Sequence, residues 1–251
     1  MNSYIKPGSP CTSRYITTIK RRLEFILNNL KISQGSYVLD VGCGLGLYLN
    51  CLSQLYPNAN FIGVDKSQEN IAKARNLANG ENVEFIVMSA ESLAFKENMF
   101  QTILMIEVLE HIFNPKNVLT EILRVLEPGG KLVITAPNRL FPFETHGFRM
   151  KNVIWGTKGF GVPLLPYMPE AVRRYFANAK VYTMQTLVKL LVHGGFQINN
   201  IDFIGPNLDQ LRIYFPKTEK LWNLIEKKLL LPWESRPLRR FSQPLSFVPR
   251  R

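Results

Sequence analysis

Three closely spaced glycines follow a short apolar run at residues 38–46, which read VLDVGCGLG. The β-branched Val38 and Val41 suit a strand buried on both faces, and leucines at roughly helical spacing follow the glycines. Strand, glycine turn and helix together form the nucleotide-binding corner of a doubly wound α/β sheet, where a ligand can approach the backbone closely. The spacing G-x-G-x-G is one residue shorter than the dinucleotide fingerprint, which disfavours a nicotinamide-dependent dehydrogenase. A corner of this type that holds no cofactor is the alternative.

The residues after this turn predict a repeating strand-helix-strand pattern. Residues 60–65 predict a second strand that ends in Asp65, nineteen residues after Gly46, which is the separation of one such step. A carboxylate at that place can accept hydrogen bonds from both hydroxyls of a ribose. Helices are expected at 14–31 and at 68–79 with an Asn79-Gly80 cap, and further strands at 83–87, 100–106, 131–136, 196–204 and 245–249.

The glycine turn, with Asp40 before it, resembles motif I of the class I S-adenosylmethionine (SAM) dependent methyltransferases. The segments 107–111 (EVLEH) and 121–132 (EILRVLEPGGKL) also resemble this family, in its ubiquinone-biosynthesis-like, methyltransferase type 11 group. The resemblance covers 37–138 closely and 181–204 by pattern. It implies that SAM is the cofactor, and it assigns cofactor contacts to Asp40, Gly42, Cys43, Gly44, Gly46, Asp65, Lys66, Ser89, Ala90, Glu91 and Glu107.

Two residues depart from the family pattern after the third predicted strand. Ser89 stands where an acid usually contacts the adenine edge, and Ala94 replaces a proline. Because a hydroxyl can still form a hydrogen bond with the adenine amine, we expect SAM binding to be retained.

The fold implied by the resemblance is an α/β, Rossmann-like, doubly wound seven-stranded sheet whose last strand is antiparallel, with helical lid insertions. Aromatic and basic residues interleave in one insertion, which would lie over the carboxyl ends of the strands and bind the acceptor. A packed subdomain without substrate contact is the alternative. The expected units are an N-terminal helical lid (1–36), a SAM-binding core (37–138), an acceptor-lid insertion (139–181) and a C-terminal part of the core (182–251) with a basic amphipathic insertion (206–240).

Methyl transfer from a sulfonium is an in-line displacement, so the protein mainly orients the acceptor against the methyl carbon. A base helps when the acceptor is a hydroxyl. His111, at the end of the fourth predicted strand, is the first candidate base; His146 is the second, and Glu110 lies beside the first. The resemblance also implies Mg²⁺ held by Glu107, Glu110, His111 and His146, which would favour a catechol or vicinal-diol acceptor. The same Glu-x-x-Glu-His pattern occurs in relatives not expected to bind metal, where it lines the pocket.

The net charge of +12 is unevenly distributed along the chain. The core at 37–138 carries seven basic and eleven acidic side chains, which gives −4. Residues 1–36 give +5, residues 139–180 give +5 and residues 206–251 give +6. The positive excess therefore lies in the additions to the core, where it could serve an anionic membrane surface, an acidic acceptor or nucleic acid, or only solubility.

Cysteine usage and hydropathy predict a cytoplasmic protein, with peripheral membrane association as an option. The three cysteines suggest no disulfide framework and no metal-ligand spacing. There is no run of about 18 uncharged apolar residues, and the N-terminus lacks a signal-peptide pattern.

The predicted function is O-methylation of a small or lipid-linked hydroxylated acceptor, such as a quinone precursor or a glycan. RNA or protein methylation is the second reading, which the charge permits, although no single-strand reading motif is visible and nucleic acid is the less favoured partner. A SAM-binding regulatory protein without catalysis is the third. The sequence leaves the oligomeric state open.

Overall fold

The computed structural model describes residues 16–137, 143–144, 148–150, 153–155, 162–163, 168–169, 179–204, 224 and 243–249. The strands of its main sheet are β1 (Tyr37–Val41), β2 (Asn60–Asp65), β3 (Val83–Val87), β4 (Phe100–Ile106), β5 (Leu126–Thr135), β10 (Phe196–Ile204) and β11 (Gln243–Pro249). They lie in the order β10-β11-β5-β4-β1-β2-β3. The first five strands pair in parallel, and β11 is antiparallel to both of its neighbours. The predicted α/β, Rossmann-like class is confirmed.

Helices connect and cover these strands. In the described ranges they are α1 (Ile16–Asn29), α2 (Leu47–Leu55), α3 (Gln68–Leu77), α4 (Pro115–Val125) and α5 (Met184–His193), and a 3₁₀ turn lies at Leu109–His111. A proline occupies the first position of α4, where its missing N–H leaves no bond unmade. At the start of α5 the Thr183 hydroxyl accepts a hydrogen bond from the Thr186 N–H at 3.1 Å, which caps the helix.

Alternate residues of the central strands pack into two cores, one on each face of the sheet. Leu39 and Val41 of β1 lie in the core that α4 and α5 cover. Val38 lies in the core that α1, α2 and α3 cover. This burial on both faces explains why the strands read as nearly continuous apolar runs.

The strand order reverses beside β1. The chain passes from β1 to β2 and β3 in one direction and then returns to place β4 on the other side of β1. Ligands of doubly wound sheets bind at the carboxyl ends of the strands at such a reversal. The glycine turn after β1 and the EVLEH segment after β4 therefore meet at one place.

Part of the acceptor-lid insertion is described, and that part is β-structured. β6 (Phe143–Glu144) pairs with β9 (Val162–Pro163), and β7 (Phe148–Met150) pairs with β8 (Val153–Trp155), both antiparallel. The sequence predicted helical lids, so the expectation was wrong for the described residues of this insertion. The amphipathic helix expected within 206–240 lies outside the described residues except at 224.

The end of α3 was predicted incorrectly. The helix ends at Leu77 and its cap is Ala78, which has an extended ψ of 127°, so Asn79-Gly80 is not the cap. The Asn82 side chain just beyond donates to the carbonyls of Tyr56 and Ala59, at 3.1 and 2.9 Å, and ties the chain to the loop before β2. The chain leaves the helix early to make these contacts.

β5 also begins earlier than predicted, at Leu126 instead of Lys131. Leu126 pairs with Phe100 and Lys131 pairs with Thr102, so the residues between them bulge out of register. Gly129 takes a φ of +79° in this bulge. Residues 128–130 (Pro-Gly-Gly) thus form a bulge within β5 and are not a loop that precedes this strand.

The structure can be compared with the predictions made from the cysteines and from hydropathy. Cys43 is free and buried. Cys51 of α2 is disulfide-bonded, so the expectation of no disulfide was wrong at this residue. None of the helices in the described ranges combines the length and the apolar character needed to cross a bilayer.

Candidate functional site

The glycine turn between β1 and α2 is held against β2 and leaves part of its backbone open. The Gly42 N–H donates to the Val64 carbonyl at 2.7 Å. Gly44 has a φ of +53°, and a Cβ built on it meets nothing within 4 Å. Gly46 has a φ of +69° and lies against the Phe85 ring, which leaves no room for a side chain. A ligand can therefore reach the main chain of the turn at Gly44.

Asp65, at the end of β2, contacts the turn directly. Its Oδ2 accepts a hydrogen bond from the Gly44 N–H at 3.0 Å, and its Oδ1 accepts one from the Ser67 N–H at 2.8 Å. Each carboxylate oxygen has a second lone pair, so both can still accept from a ribose hydroxyl. The next residue, Lys66, is exposed. The structure thus brings together the two motifs that the sequence predicted to share one site.

The turn that follows β3 lies at the same edge of the sheet. Ser89 and Glu91 are exposed, with Ala90 half-buried between them. The Ser89 hydroxyl accepts a hydrogen bond from the Glu91 N–H at 3.2 Å and can still donate one. This arrangement leaves the hydroxyl available for the adenine contact expected of it.

Helix α4 fixes the loop beyond Ser89 through Arg124 and Glu121. The Arg124 guanidinium donates to the carbonyls of Leu93 and Phe95, at 2.6 and 2.8 Å. Glu121 accepts from the Leu93 N–H at 3.0 Å and pairs with Arg124 at 2.9 Å. The hydrogen bond from Arg124 lowers the pKa of Glu121. Sequence analysis placed Glu121 and Arg124 in a segment that resembles the family but assigned neither residue a role.

Glu107, at the end of β4, joins three elements through one carboxylate. Its backbone φ of +57° is rare for a residue with a side chain and is typical of functional positions. Its Oε1 accepts from the Thr135 hydroxyl of β5 at 2.9 Å. Its Oε2 pairs with Arg22 of α1 at 3.1 Å. The carboxylate predicted to bind cofactor or metal is therefore engaged by two partners.

Arg22 is a candidate functional residue that the sequence analysis missed. Burial disfavours its charge, but Glu107 and then Tyr48 outweigh burial and raise the pKa of the guanidinium. Burial in turn raises the pKa of the Tyr48 hydroxyl, although Arg22 opposes this. A fixed guanidinium beside the glycine turn can pair with the carboxylate of a ligand.

Asp40 and Cys43 lie beneath the turn and are both buried. Burial, and then the neighbouring charge of Asp65, raises the pKa of Asp40 to about 7. Burial and then Asp40 raise the pKa of the Cys43 thiol, so the thiol stays protonated. The Cys43 N–H donates to the Val64 carbonyl at 3.0 Å, which makes this residue a part of the turn's support.

The candidate base His111 is exposed, in the 3₁₀ turn directly after β4. Glu110 beside it is buried, with 2% of its surface exposed. Lys180, where the acceptor-lid insertion returns to the core, holds this turn: its N–H donates to the Glu110 carbonyl at 2.8 Å. Its Nζ donates to the carbonyls of Ile112 and Phe113, at 2.8 and 2.7 Å. The insertion is thereby fastened on both sides of His111.

The predicted Mg²⁺ ligands do not form a site within the described part of the chain. No group of three or more His, Cys, Asp or Glu side chains there is arranged to hold a metal ion. Glu107 turns to Arg22 and Thr135, whereas Glu110 is buried beneath the turn that exposes His111. The fourth predicted ligand, His146, lies outside the described residues.

Comparison with known proteins identifies the core. Residues 39–134 match the family model described as a methyltransferase domain. The matched segment is a class I SAM-dependent methyltransferase domain. SAM is the cofactor of such a domain, as the resemblance of the glycine turn predicted.

Individual relatives match over part of their length. The chain is 34% identical over 119 residues to the ubiquinone biosynthesis O-methyltransferase of Xanthomonas euvesicatoria pv. vesicatoria, covering 47% of this chain and 49% of that protein. It is 29% identical over 153 residues to the ubiquinone/menaquinone biosynthesis C-methyltransferase of Desulfotalea psychrophila, covering 59% and 58%. The chain spans about half the length of the curated relatives it matches. The solved S-adenosylmethionine dependent methyltransferase of Mesorhizobium loti has the same fold, with a TM-score of 0.59 at 15% identity over 95% of this chain and 99% of that chain.

The donor set of the methyltransferase domain fits SAM. Gly44 offers open backbone of the kind that a bound nucleoside covers. Asp65 has lone pairs that would accept from the ribose hydroxyls. Arg22 of α1, outside the matched segment, would supply a cation for the carboxylate of the methionine part. Asp40 lies buried beneath the same turn. The residues of the site therefore fit the polar groups of the ribose and of the methionine part.

Proposed function

We propose that this chain transfers the methyl group of SAM to a hydroxyl oxygen of a small or lipid-linked acceptor, such as a quinone precursor or a glycan. The observation that carries the proposal is the 3.0 Å hydrogen bond from the Gly44 N–H to Asp65, which joins two cofactor motifs beside an open backbone. The likeness to ubiquinone biosynthesis O-methyltransferases supports oxygen as the methylated atom. The likeness to a C-methyltransferase makes carbon the second candidate.

In this proposal the chain contributes binding and orientation. SAM, when bound, supplies an electrophilic methyl group on a cationic sulfur. Asp65 holds the ribose, Ser89 contacts the adenine edge and Arg22 pairs with the methionine carboxylate. Holding donor and acceptor in line is worth up to roughly 7–11 kcal/mol of the barrier.

His111 removes the proton from the acceptor hydroxyl in the same proposal. It is exposed at the carboxyl end of β4, and Lys180 fixes the turn that carries it. A positioned base contributes roughly 10²–10⁴ to the rate of such a step. His146 remains the second candidate base. The predicted Mg²⁺ set of Glu107, Glu110, His111 and His146 finds no support among the described residues, and activity in a chelator would test it with His146 included.

The test is transfer of labelled methyl from SAM to a panel of catechols with and without an alkyl tail. We expect Asp65→Asn to weaken SAM binding by about tenfold or more, because the amide replaces one acceptor oxygen by a donor and removes the charge that strengthens both ribose hydrogen bonds. His111→Gln should lower kcat and leave the Kd of SAM unchanged. Glu84→Gln, at an exposed position on β3, is the matched control. Unchanged SAM affinity in Asp65→Asn, or unchanged kcat in His111→Gln, would refute the corresponding role.

We further propose that the acceptor is reached at an anionic membrane surface. Phe113, next to the Lys180 contact, is 92% exposed, so its ring would be removed from water on contact with lipid. The positive excess of the segments around the core has the sign needed to approach anionic lipid.

Flotation with anionic and with neutral vesicles, using RNA as competitor, tests this proposal. Selective flotation with anionic vesicles that RNA does not displace would support it, and Phe113→Ser should weaken that flotation. Leu77→Ser, which changes a 46% exposed residue on α3, is the control. Displacement by RNA would favour the RNA methyltransferase alternative, and absence of flotation would refute the membrane proposal.

A regulatory SAM-binding protein without catalysis is the alternative of another class. The same assays distinguish it, because such a protein would bind SAM and transfer no methyl group to any catechol, sugar, RNA or protein acceptor. The exposed His111 at the carboxyl edge argues for catalysis.

A further inference from the structure

Thr135, the last residue of β5, contacts both the backbone and the side chain of Glu107. Its hydroxyl accepts a hydrogen bond from the Glu107 N–H at 3.1 Å and donates one to Glu107 Oε1 at 2.9 Å. The Glu107 N–H also donates to the Thr135 carbonyl at 3.1 Å. One hydroxyl therefore fixes the residue at the end of β4 at two places.

This double contact supports a backbone conformation that glutamate seldom adopts. Glu107 has a φ of +57°, in the left-handed region. A conformation of this kind persists only where the surrounding structure holds it. Thr135 is 1% exposed, so water does not compete for its hydroxyl. The direction of the Glu107 carboxylate thus depends on a buried hydroxyl of the neighbouring strand.

The second oxygen of this carboxylate determines where the Arg22 side chain lies. Glu107 Oε2 pairs with the Arg22 guanidinium at 3.1 Å, and the Tyr48 side chain gives the guanidinium a second hydrogen bond. The Arg22 side chain is 24% exposed, and a guanidinium has several N–H donors, so donors remain for a ligand. Because an arginine side chain loses much rotamer freedom when it is fixed, partners that fix it beforehand favour binding.

Helix α1, which carries Arg22, is also held at its C-terminal end. The Asn29 side chain there accepts a hydrogen bond from the Asn200 side chain of β10 at 2.8 Å. The apolar side of the helix is buried in the core that it shares with α2 and α3. These contacts keep the helix in place without the ion pair to Glu107. Thr135 therefore acts on the direction of the Arg22 side chain and not on the docking of α1.

We propose that Thr135 is a positioning residue for the cofactor: through Glu107 it holds Arg22 in the direction that pairs with the carboxylate of SAM. This inference rests on the proposed function, which assigns that carboxylate to Arg22. Since Thr135 acts only through Arg22, a ligand without the carboxylate should not respond to it. Such a ligand is 5′-methylthioadenosine, which shares the adenosine and the sulfur with SAM and lacks the amino-acid part.

The experiment is titration calorimetry of the full chain with SAM and with 5′-methylthioadenosine. Thr135→Val keeps the shape and removes the hydroxyl. It should raise the Kd of SAM by about three- to tenfold, a partial loss because Tyr48 still contacts Arg22. Thr135→Ser keeps the hydroxyl and should restore the affinity for SAM to within about twofold of the parent. The Kd of 5′-methylthioadenosine should stay within about twofold of the parent in both variants.

A matched control and a double-mutant cycle distinguish positioning from general damage to the fold. Thr102→Val makes the same exchange at a threonine near the start of β4 that is 4% exposed, and it should leave both affinities unchanged. In the Arg22→Met protein, Thr135→Val should cause no further loss of SAM affinity, because its effect passes through Arg22.

The outcomes separate this inference from the proposed function. An unchanged Kd of SAM in Thr135→Val, equal weakening of both ligands, or a loss that adds fully to that of Arg22→Met overturns the role of Thr135 and leaves the proposed function standing. Absence of SAM binding by the parent protein overturns both.

A second variant keeps the inference testable where Thr135→Val does not fold. Glu107→Gln retains an oxygen for the Thr135 hydroxyl and removes the charge that pairs with Arg22. It should raise the Kd of SAM and leave that of 5′-methylthioadenosine unchanged. An unchanged or lower Kd of SAM in Glu107→Gln would overturn the route from Thr135 to Arg22.

Discussion

Replacing Asp40 by asparagine should change the pH dependence of stability of the cofactor-free protein. Burial raises the pKa of this carboxyl to about 7 in the folded chain, whereas an unfolded aspartate titrates near about 3.9. Between these values the folded state holds a proton that the unfolded state has lost. The stability that Asp40 contributes is therefore complete below about pH 4 and is lost as the pH rises through about 7.

The magnitude comes from the difference of about three pKa units, each worth about 1.36 kcal/mol, which gives about 4 kcal/mol. Asparagine has the same shape and no charge to desolvate, but its amide can add a constant cost of roughly 1–3 kcal/mol if it lacks partners. That cost does not depend on pH. The stability of Asp40→Asn minus that of the parent should therefore rise by about 4 kcal/mol from pH 4 to pH 8.

Urea unfolding of both proteins at several pH values between about 4 and 8 measures this difference, provided that the m-values agree. Glu84→Gln, which alters an exposed carboxylate, should give a nearly flat difference. A flat difference for Asp40→Asn as well would refute the reasoning, since it would mean that the buried carboxyl titrates as it does in the unfolded chain.

Substitutions at three further residues test the contacts that hold the site. Arg22→Met should raise the Kd of SAM by about tenfold, as measured by calorimetry, and Arg22→Lys should restore part of the lost affinity. Equal affinities of the parent protein and both variants would contradict the proposed carboxylate contact. Arg124→Met removes hydrogen bonds to two carbonyls of the loop after β3, so it should lower the free energy of unfolding by roughly 1–3 kcal/mol and raise the KM of SAM more than it lowers kcat. Lys180→Met should lower kcat and raise the KM of the acceptor while the Kd of SAM stays unchanged, and a loss of SAM affinity would show that its role is not confined to the turn of His111.

The features of the fold and of the site that depend on residues close together in the sequence could be predicted. The glycine turn, the acid at the end of β2 and the limits of β2, β3 and β4 could all be predicted, because each depends on local backbone conformation and on an apolar period. The contact between Gly44 and Asp65 followed from the rule that the carboxyl ends of parallel strands meet at one edge.

Long-range side-chain contacts could not be predicted in the same way. Arg22 was not singled out from the sequence, because only the packing of α1 on the sheet brings it to Glu107, which lies 85 positions later in the chain. Glu107 was predicted as a ligand to cofactor or metal, and its ion pair depends on a positive φ that a residue of this type rarely adopts. The burial of Asp40 and its raised pKa likewise depend on the packing of helices on β1 and on the nearby charge of Asp65, which an apolar period does not reveal.

Lys180 joins the acceptor-lid insertion to the 3₁₀ turn that carries His111. The backbone of this residue and its side chain together bond three carbonyls at positions 110, 112 and 113, and its Nζ also lies 5.8 Å from the centre of the Phe113 ring. If the acceptor-lid insertion were replaced by that of a relative, the new insertion would therefore need a lysine at the position of Lys180. Without this lysine, the new insertion would not hold the turn that carries His111. A change of acceptor specificity in this fold would then require the contact at Lys180 to be transferred together with the insertion.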